Sequence, residues 1–161
     1  MEYSTGIIYH YFENKEQILD CVMREGYQRI LLSISPTDPS LPPDETLCIS
    51  LRGFFEEVLR NPEIYKMIML NNSPQVLEFT SVLGDGCVEK SPGLTTLAST
   101  LDAGIEAGLF ALCDKRTTAQ VIWSAMFGLI IRLIIERDVT LEQRSKLIDR
   151  QIEFILKGLR P

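Results

Sequence analysis

Proline recurs in this chain directly after a small polar residue, at Asn61-Pro62, Ser73-Pro74 and Ser91-Pro92. Proline has no N–H to give. It therefore suits the first position of a helix, where that N–H would lack a partner, and it disrupts helix interiors and central strands. Three helices are expected to begin at these steps. Elsewhere, apolar residues recur at spacings of three and four, and strand alternation is nearly absent. Leu19, Val22, Met23, Gly26, Ile30 and Leu31 mark a helix to about Ile34. Asn14 can cap its start, with Gln17 reaching back to it as a capping box. Leu47, Leu51, Phe54, Phe55 and Val58 form one face of a helix from about Asp44 to Arg60. The helix from Pro92 runs through Leu94, Leu97, Leu101 and Ile105 to Gly108, a candidate left-handed cap. Gly84-Asp-Gly86 interrupts the one from Pro74. Thr117-Thr-Ala-Gln120 reads as a capping box for an apolar helix to about Arg137, and Thr140-Leu-Glu-Gln143 as one for the last helix. In that last helix Leu141, Ser145, Ile148, Ile152, Ile155 and Leu159 alternate steps of four and three, the heptad spacing of a long packed helix. The expected fold class is all-α. Ser35 to Pro43 holds four of the eight prolines and is the expected internal boundary.

With 161 residues, 45% of them hydrophobic, the chain can bury one sizeable core or two small ones. Its net charge of -6 is the wrong sign for a surface that meets nucleic acid throughout. Through residue 35, three bases stand against five acids, a net of -2. Cys21, Cys48, Cys87 and Cys113 are widely spaced, as expected of reduced thiols in a cytoplasmic protein. The apolar run Val121 to Ile135 contains Ser124, Gly128 and Arg132 and is shorter than a membrane span, so a buried helix is expected and no membrane. His10 is the only histidine. No G-x-S-x-G, H-E-x-x-H or P-loop occurs, and Gly84-Asp-Gly86 lacks a third glycine and a preceding strand. The expectation is no enzyme, no metal and no cofactor.

Gly6, Ile7-Ile8, Tyr9, His10, Tyr11, Phe12, Lys15, Glu16 and Ile18-Leu19 follow one another as a small residue, an aliphatic pair, an aromatic cluster, a turn and a capped helix. This order resembles the end of the helix-turn-helix in the TetR family of bacterial transcriptional regulators. Further on, Leu101-Asp-Ala-Gly-Ile-Glu-Ala-Gly-Leu-Phe110, Asp114, the apolar helix with Gly128 and the helix from Leu141 to Leu159 resemble that family's ligand-binding and dimerisation part. The two matches, in the same order, cover nearly the whole chain.

The resemblance implies residues 1–34 as the end of a DNA-binding domain plus a connecting helix, lacking the domain's first helices, and residues 35–161 as a ligand-binding and dimerisation domain. It implies phosphate contacts at Tyr9, Tyr11 and Lys15 and base contacts near Ser4, Thr5 and Ile7, with His10 on the surface beside DNA. Phe12 and Ile8 are expected to plug the small core behind them. The candidate effector site is Phe54, Phe55, Tyr65, Met69, Phe79, Leu101, Ile105, Trp123 and Phe127, since methionine and aromatic residues suit adaptable apolar sites. Ordinary core packing is the alternative for each. Ser124, Ala125 and Gly128, with Ile148, Ile152, Ile155 and Leu159, are the candidate two-fold interface of a homodimer. The alternative is that they face the protomer's own core. The expected function is a ligand-responsive repressor with a small, largely apolar effector. Operator DNA would be bound by the intact protein and only weakly by this chain. The other readings are a helical dimerisation or adaptor module without DNA binding and, behind it, a small all-α enzyme.

Overall fold

The computed structural model describes residues 11–161 apart from 36, 37, 39 and 137. Among them run eight helices: α1 (Lys15–Ile34), α2 (Pro43–Arg60), α3 (Pro62–Met69), α4 (Pro74–Thr80), α5 (Cys87–Lys90), α6 (Pro92–Glu106), α7 (Lys115–Ile135) and α8 (Leu141–Leu159). No strand occurs among the described residues. The fold is all-α.

Local chemistry accounts for the helix boundaries. Asn14 Oδ1 accepts the Gln17 N–H at 2.9 Å and opens α1. The reciprocal bond falls one residue earlier than expected: Gln17 Oε1 accepts the Glu13 N–H, at 2.9 Å. α3, α4 and α6 start at Pro62, Pro74 and Pro92, and in none of them does the preceding polar side chain cap the helix. The fixed φ of proline is what sets these starts. α6 stops where Gly108 turns left-handed (φ 69°) and donates its N–H to the Ile105 carbonyl at 3.0 Å.

α7 departs from the sequence expectation. It opens before Thr117, on Asp114, whose Oδ1 accepts the Arg116 N–H at 3.1 Å while Oδ2 takes the Thr117 hydroxyl at 2.6 Å. A carboxylate at this point both caps a free N–H and complements the positive end of the helix, so it displaces the threonine box. Gln120, released from capping, donates Nε2 to the Val82 carbonyl at 2.9 Å and to Cys87 Sγ at 3.2 Å, tying α7 to the start of α5.

α2 is the centre of the molecule and packs on α1, α3, α6, α7 and α8. Phe54 and Phe55 on α2, Leu94 and Leu101 on α6, and Ile130 on α7 lie at the heart of the main core. A second, smaller core joins Met23 and Tyr27 of α1 to Ile68 of α3 and Val76 of α4. The Tyr27 hydroxyl donates to the Phe79 carbonyl at 2.9 Å and closes this end. The α1–α2 crossing is tightest at Gly53, where a Cβ would overlap the backbone carbonyl oxygen of Ser33. A backbone atom inside a helix cannot swing aside. Gly53→Ala is therefore expected to cost about 1–3 kcal/mol of overpacking, partly offset by about 1 kcal/mol of helix propensity. Urea unfolding would check this, and a raised midpoint would refute it.

The turn after α6 has a similar logic. Phe110 folds back onto Gly104, where any Cβ would overlap its ring. Ala111 then donates its N–H to the Leu159 carbonyl at 2.7 Å, pinning the end of α8.

Two expectations about α7 and α8 require correction. The heptad face of α8 does not look outward: Ile148, Ile152 and Leu159 are buried in the protomer's own core, and Ile155 is half-buried against it. α8 lies against α2 and α7, so its most regular apolar stripe is used within the protomer. Nor is α7 buried all round. It buries Ala119, Ile122, Trp123, Met126, Ile130 and Leu133, whereas Val121, Ser124, Ala125, Gly128 and Ile135 are exposed on the opposite face. By length and composition alone α7 could cross a bilayer. Its packed inner face and small-residue outer face suit a helix between two protein layers equally well.

Candidate functional site

Phe54 stands at the middle of an aromatic group. Its ring centroid lies 5.1 Å from Trp123, 5.9 Å from Tyr65 and 6.3 Å from Phe55, and Tyr65 lies 6.4 Å from Phe127. Leu101 is fully buried in the same core, and Met69, Ile105 and Phe127 are half-buried against it. Phe79 belongs elsewhere: it packs on Tyr27, at 5.0 Å, beside the smaller core. Eight of the nine candidate effector residues thus share one core, but only two of them, Phe54 and Trp123, line one cavity together; Phe55 and Tyr65 border separate ones.

That cavity measures about 20 Å³, room for roughly one water molecule. Its other walls include Ile34, Leu47, Gly93 and Met126, with Ser50, Thr96 and Thr100. Sequence reasoning missed these. Gly93 is the one that carried a signal, as a glycine inside a helical apolar face. A Cβ there would sit 3.0 Å from the Trp123 ring, so glycine lets that ring lie against α6. No charged residue lines the cavity. A wider cleft of about 580 Å³ adjoins it between the start of α2 and α6 and shares Thr96 and Thr100 with it.

Two polar atoms of the aromatic group, Tyr65 Oη and Trp123 Nε1, are buried without a hydrogen-bond partner. Burial holds the Tyr65 phenol far above its ordinary range, so it stays protonated. Each of these groups carries the desolvation cost of an unmet donor, about 1–3 kcal/mol.

Ser4, Thr5, Ile7, Tyr9 and His10 lie outside the described residues, as does Ile8. Tyr11 and Lys15 are described and both are exposed, with Lys15 the first residue of α1; Phe12 is half-buried. Of the candidate interface residues, Ser124, Ala125 and Gly128 share the outer face of α7. α8 carries exposed Leu147 and Phe154, the latter with the Arg150 guanidinium 5.4 Å above its ring. Just before Phe154, Glu153 bonds Lys157 and Arg150, which hold its carboxyl down at about 2. The four cysteines are unpaired. Among the described residues no group of three or more His, Cys, Asp or Glu is placed to hold a metal.

No protein-family model matches the sequence, and no curated protein sequence matches it. Solved structures match the fold. One is a bacterial regulatory protein in the TetR family from Rhodococcus RHA1, with a TM-score of 0.70 and 19% identity over 98% of this chain and 80% of that one. Another is the TetR-family transcriptional regulator PfmR from Thermus thermophilus, with a TM-score of 0.68 and 18% identity over 98% of this chain and 84% of that one. The chain has the fold of TetR-family transcriptional regulators. Both of those proteins are regulatory proteins.

Proposed function

We propose that this protein is a cytoplasmic, ligand-responsive transcriptional repressor of the TetR type, working as a homodimer. One observation carries the reading. Ile34, the last residue of α1, lines the cavity beside Trp123, while the first residue of the same helix, Lys15, adjoins the segment that resembles a DNA reader. A helix of 20 residues spans about 30 Å. A ligand that enlarges the cavity on the Ile34 side displaces the end of α1, and a rigid helix carries that displacement to its other end.

In this reading residues 1–34 are the end of the DNA-binding domain with its connecting helix, and residues 35–161 sense and dimerise. Ser4, Thr5, Ile7, Tyr9, His10, Tyr11 and Lys15 face operator DNA. The outer face of α7, with Val121, Ser124, Ala125 and Gly128, meets its copy beside Leu147 and Phe154 of α8. Effector binding alters the spacing of the two reading heads and lowers operator affinity through its preference for one arrangement. With three bases against five acids through residue 35, the purified 161-residue chain binds DNA weakly and without sequence preference.

Immunoprecipitation of the protein with its bound DNA from the native host tests the reading. The expected result is a small set of recovered promoter regions whose yield falls when an effector is added. A second reading, a dimeric adaptor that acts through protein partners, is favoured by the net charge of -6. Recovery of partner proteins with no DNA enriched would replace the first reading by the second.

A further inference from the structure

We infer that the groove between α2 and α8 binds a small organic carboxylate with an apolar body, and that Arg144 takes the carboxylate. This site is separate from the cavity at Trp123, and it stands or falls independently of the regulator reading.

The groove measures about 470 Å³, within the usual range of small-molecule sites. Arg52, Glu56 and Arg60 line it from α2, and Arg144 and Ser145 line it from α8. These charges are unevenly matched. Arg52 bonds Asp149 at 2.8 Å and Arg60 bonds Glu57, and neither of those acids is part of the wall. Glu56 stands one helical turn after Arg52 and one before Arg60, so its charge is met along its own helix. Arg144 has no such company. Among the described residues its side chain has no ion-pair or hydrogen-bond partner. Three and four residues away in the chain stand Thr140, Leu141, Leu147 and Ile148, none of them acidic.

A guanidinium cannot shed its charge to suit its surroundings. Arg144 is half-buried and its Nε is shut away from water, so solvent compensates it less than it would an exposed arginine. A carboxylate meets this need best, since its two oxygens match the guanidinium fork. The rest of the wall sets the body of the ligand. Leu59, Leu141 and Ile148 also line the groove, and Leu141 is 78% exposed. A bare anion would leave that apolar surface in water, whereas a ring or short chain on the carboxylate covers it.

Calorimetric titration of the full chain with four probes tests the site. 4-Phenylbutyrate carries both charge and body, 4-phenylbutanol the body alone, 4-phenylbutylamine the body with the opposite charge, and acetate the charge alone. Phenylbutyrate is expected to bind at least about tenfold tighter than each of the others. Arg144→Gln should remove this preference and bring phenylbutyrate level with phenylbutanol. Ser145 is exposed, so Ser145→Glu leaves the core intact and adds a carboxylate to the same wall. That variant should weaken phenylbutyrate at least about fivefold and leave phenylbutanol unchanged. If Arg144→Gln does not fold, Ser145→Glu decides. Tightest binding by the amine would mean that Glu56 governs the groove, and acetate binding as tightly as phenylbutyrate would mean that the apolar wall contributes nothing. Either result would overturn the inference. So would equal affinities for all four probes, no binding of phenylbutyrate at about 10 mM, or an unaltered preference in either variant that folds.

Discussion

Phe54→Ala is expected to lower unfolding stability by about 3–5 kcal/mol, the usual cost of removing a fully buried phenylalanine. Phe54 is 1% exposed and touches three other aromatic rings. The size of the loss depends on whether the surroundings collapse. Here they are held from several sides: Phe55 belongs to the same central helix, Tyr65 to α3 and Trp123 to α7, so no single movement closes the gap. The deleted ring would leave a void continuous with the cavity already present at Ile34, Gly93 and Trp123. An apolar void of that size stays dry and accepts small apolar molecules. Benzene at ten times its dissociation constant should therefore restore about 1.4 kcal/mol. Urea unfolding with and without benzene measures both quantities. A loss below about 1 kcal/mol, or no benzene effect, would show that the core repacks and that Phe54 is not its fixed centre.

The second large effect concerns association. Gly128→Arg should weaken self-association at least about 100-fold, equivalent to roughly 2.7 kcal/mol. It should do so without unfolding the protomer. Gly128 is exposed on α7, and a Cβ built there meets nothing within 4 Å. Within the protomer the change improves helix propensity by nearly 1 kcal/mol. In the proposed dimer it would place a long charged side chain where two helices are to meet over Ser124, Ala125 and Gly128, and an unpaired charge there is costly to desolvate. Phe154→Ser is a companion test, since that ring is 67% exposed and its loss leaves the core intact. Sedimentation equilibrium should give a mass twice 18.3 kDa for the unaltered chain and 18.3 kDa for the variant, with circular dichroism unchanged. An unaltered chain that sediments as a monomer, or a variant that remains a dimer, would remove this interface.

The helices were legible because their signals are local. A proline after a polar residue, an asparagine before Lys-Glu-Gln, and a glycine at φ 69° act within a few residues of themselves. Asp114 was harder to read, because it competed with a plausible threonine box three residues later, and charge at a helix start outweighed pattern. Periodicity also placed Ile148, Ile152 and Leu159 on one face of α8 correctly. It carried no information on whether that face meets the same chain or another, and α2 and α7 turned out to occupy it. The aromatic group was recoverable for a similar reason: large rings on apolar faces gather in one core. A cavity is different. It is defined by gaps between four helices, so small wall residues such as Gly93 and Thr96 matter more than large ones, and no window of sequence reveals them. Phe79 was misplaced because α4 packs on α1 and α3, away from the main core.

The central position of α2 has a consequence for the newly made chain. Arg52 of α2 pairs with Asp149 of α8 at 2.8 Å, and Phe55 shares its core with Ile148 and Ile152. α2 is thus complete long before the helix that covers one of its sides exists. At about 5–20 residues per second, the 19 residues of α8 take roughly 1–4 s to be made. Until then the growing polypeptide keeps an apolar flank of its central helix open to water and to chaperones. Closure of the core is therefore timed by the synthesis of α8 rather than by the intrinsic speed of helix formation.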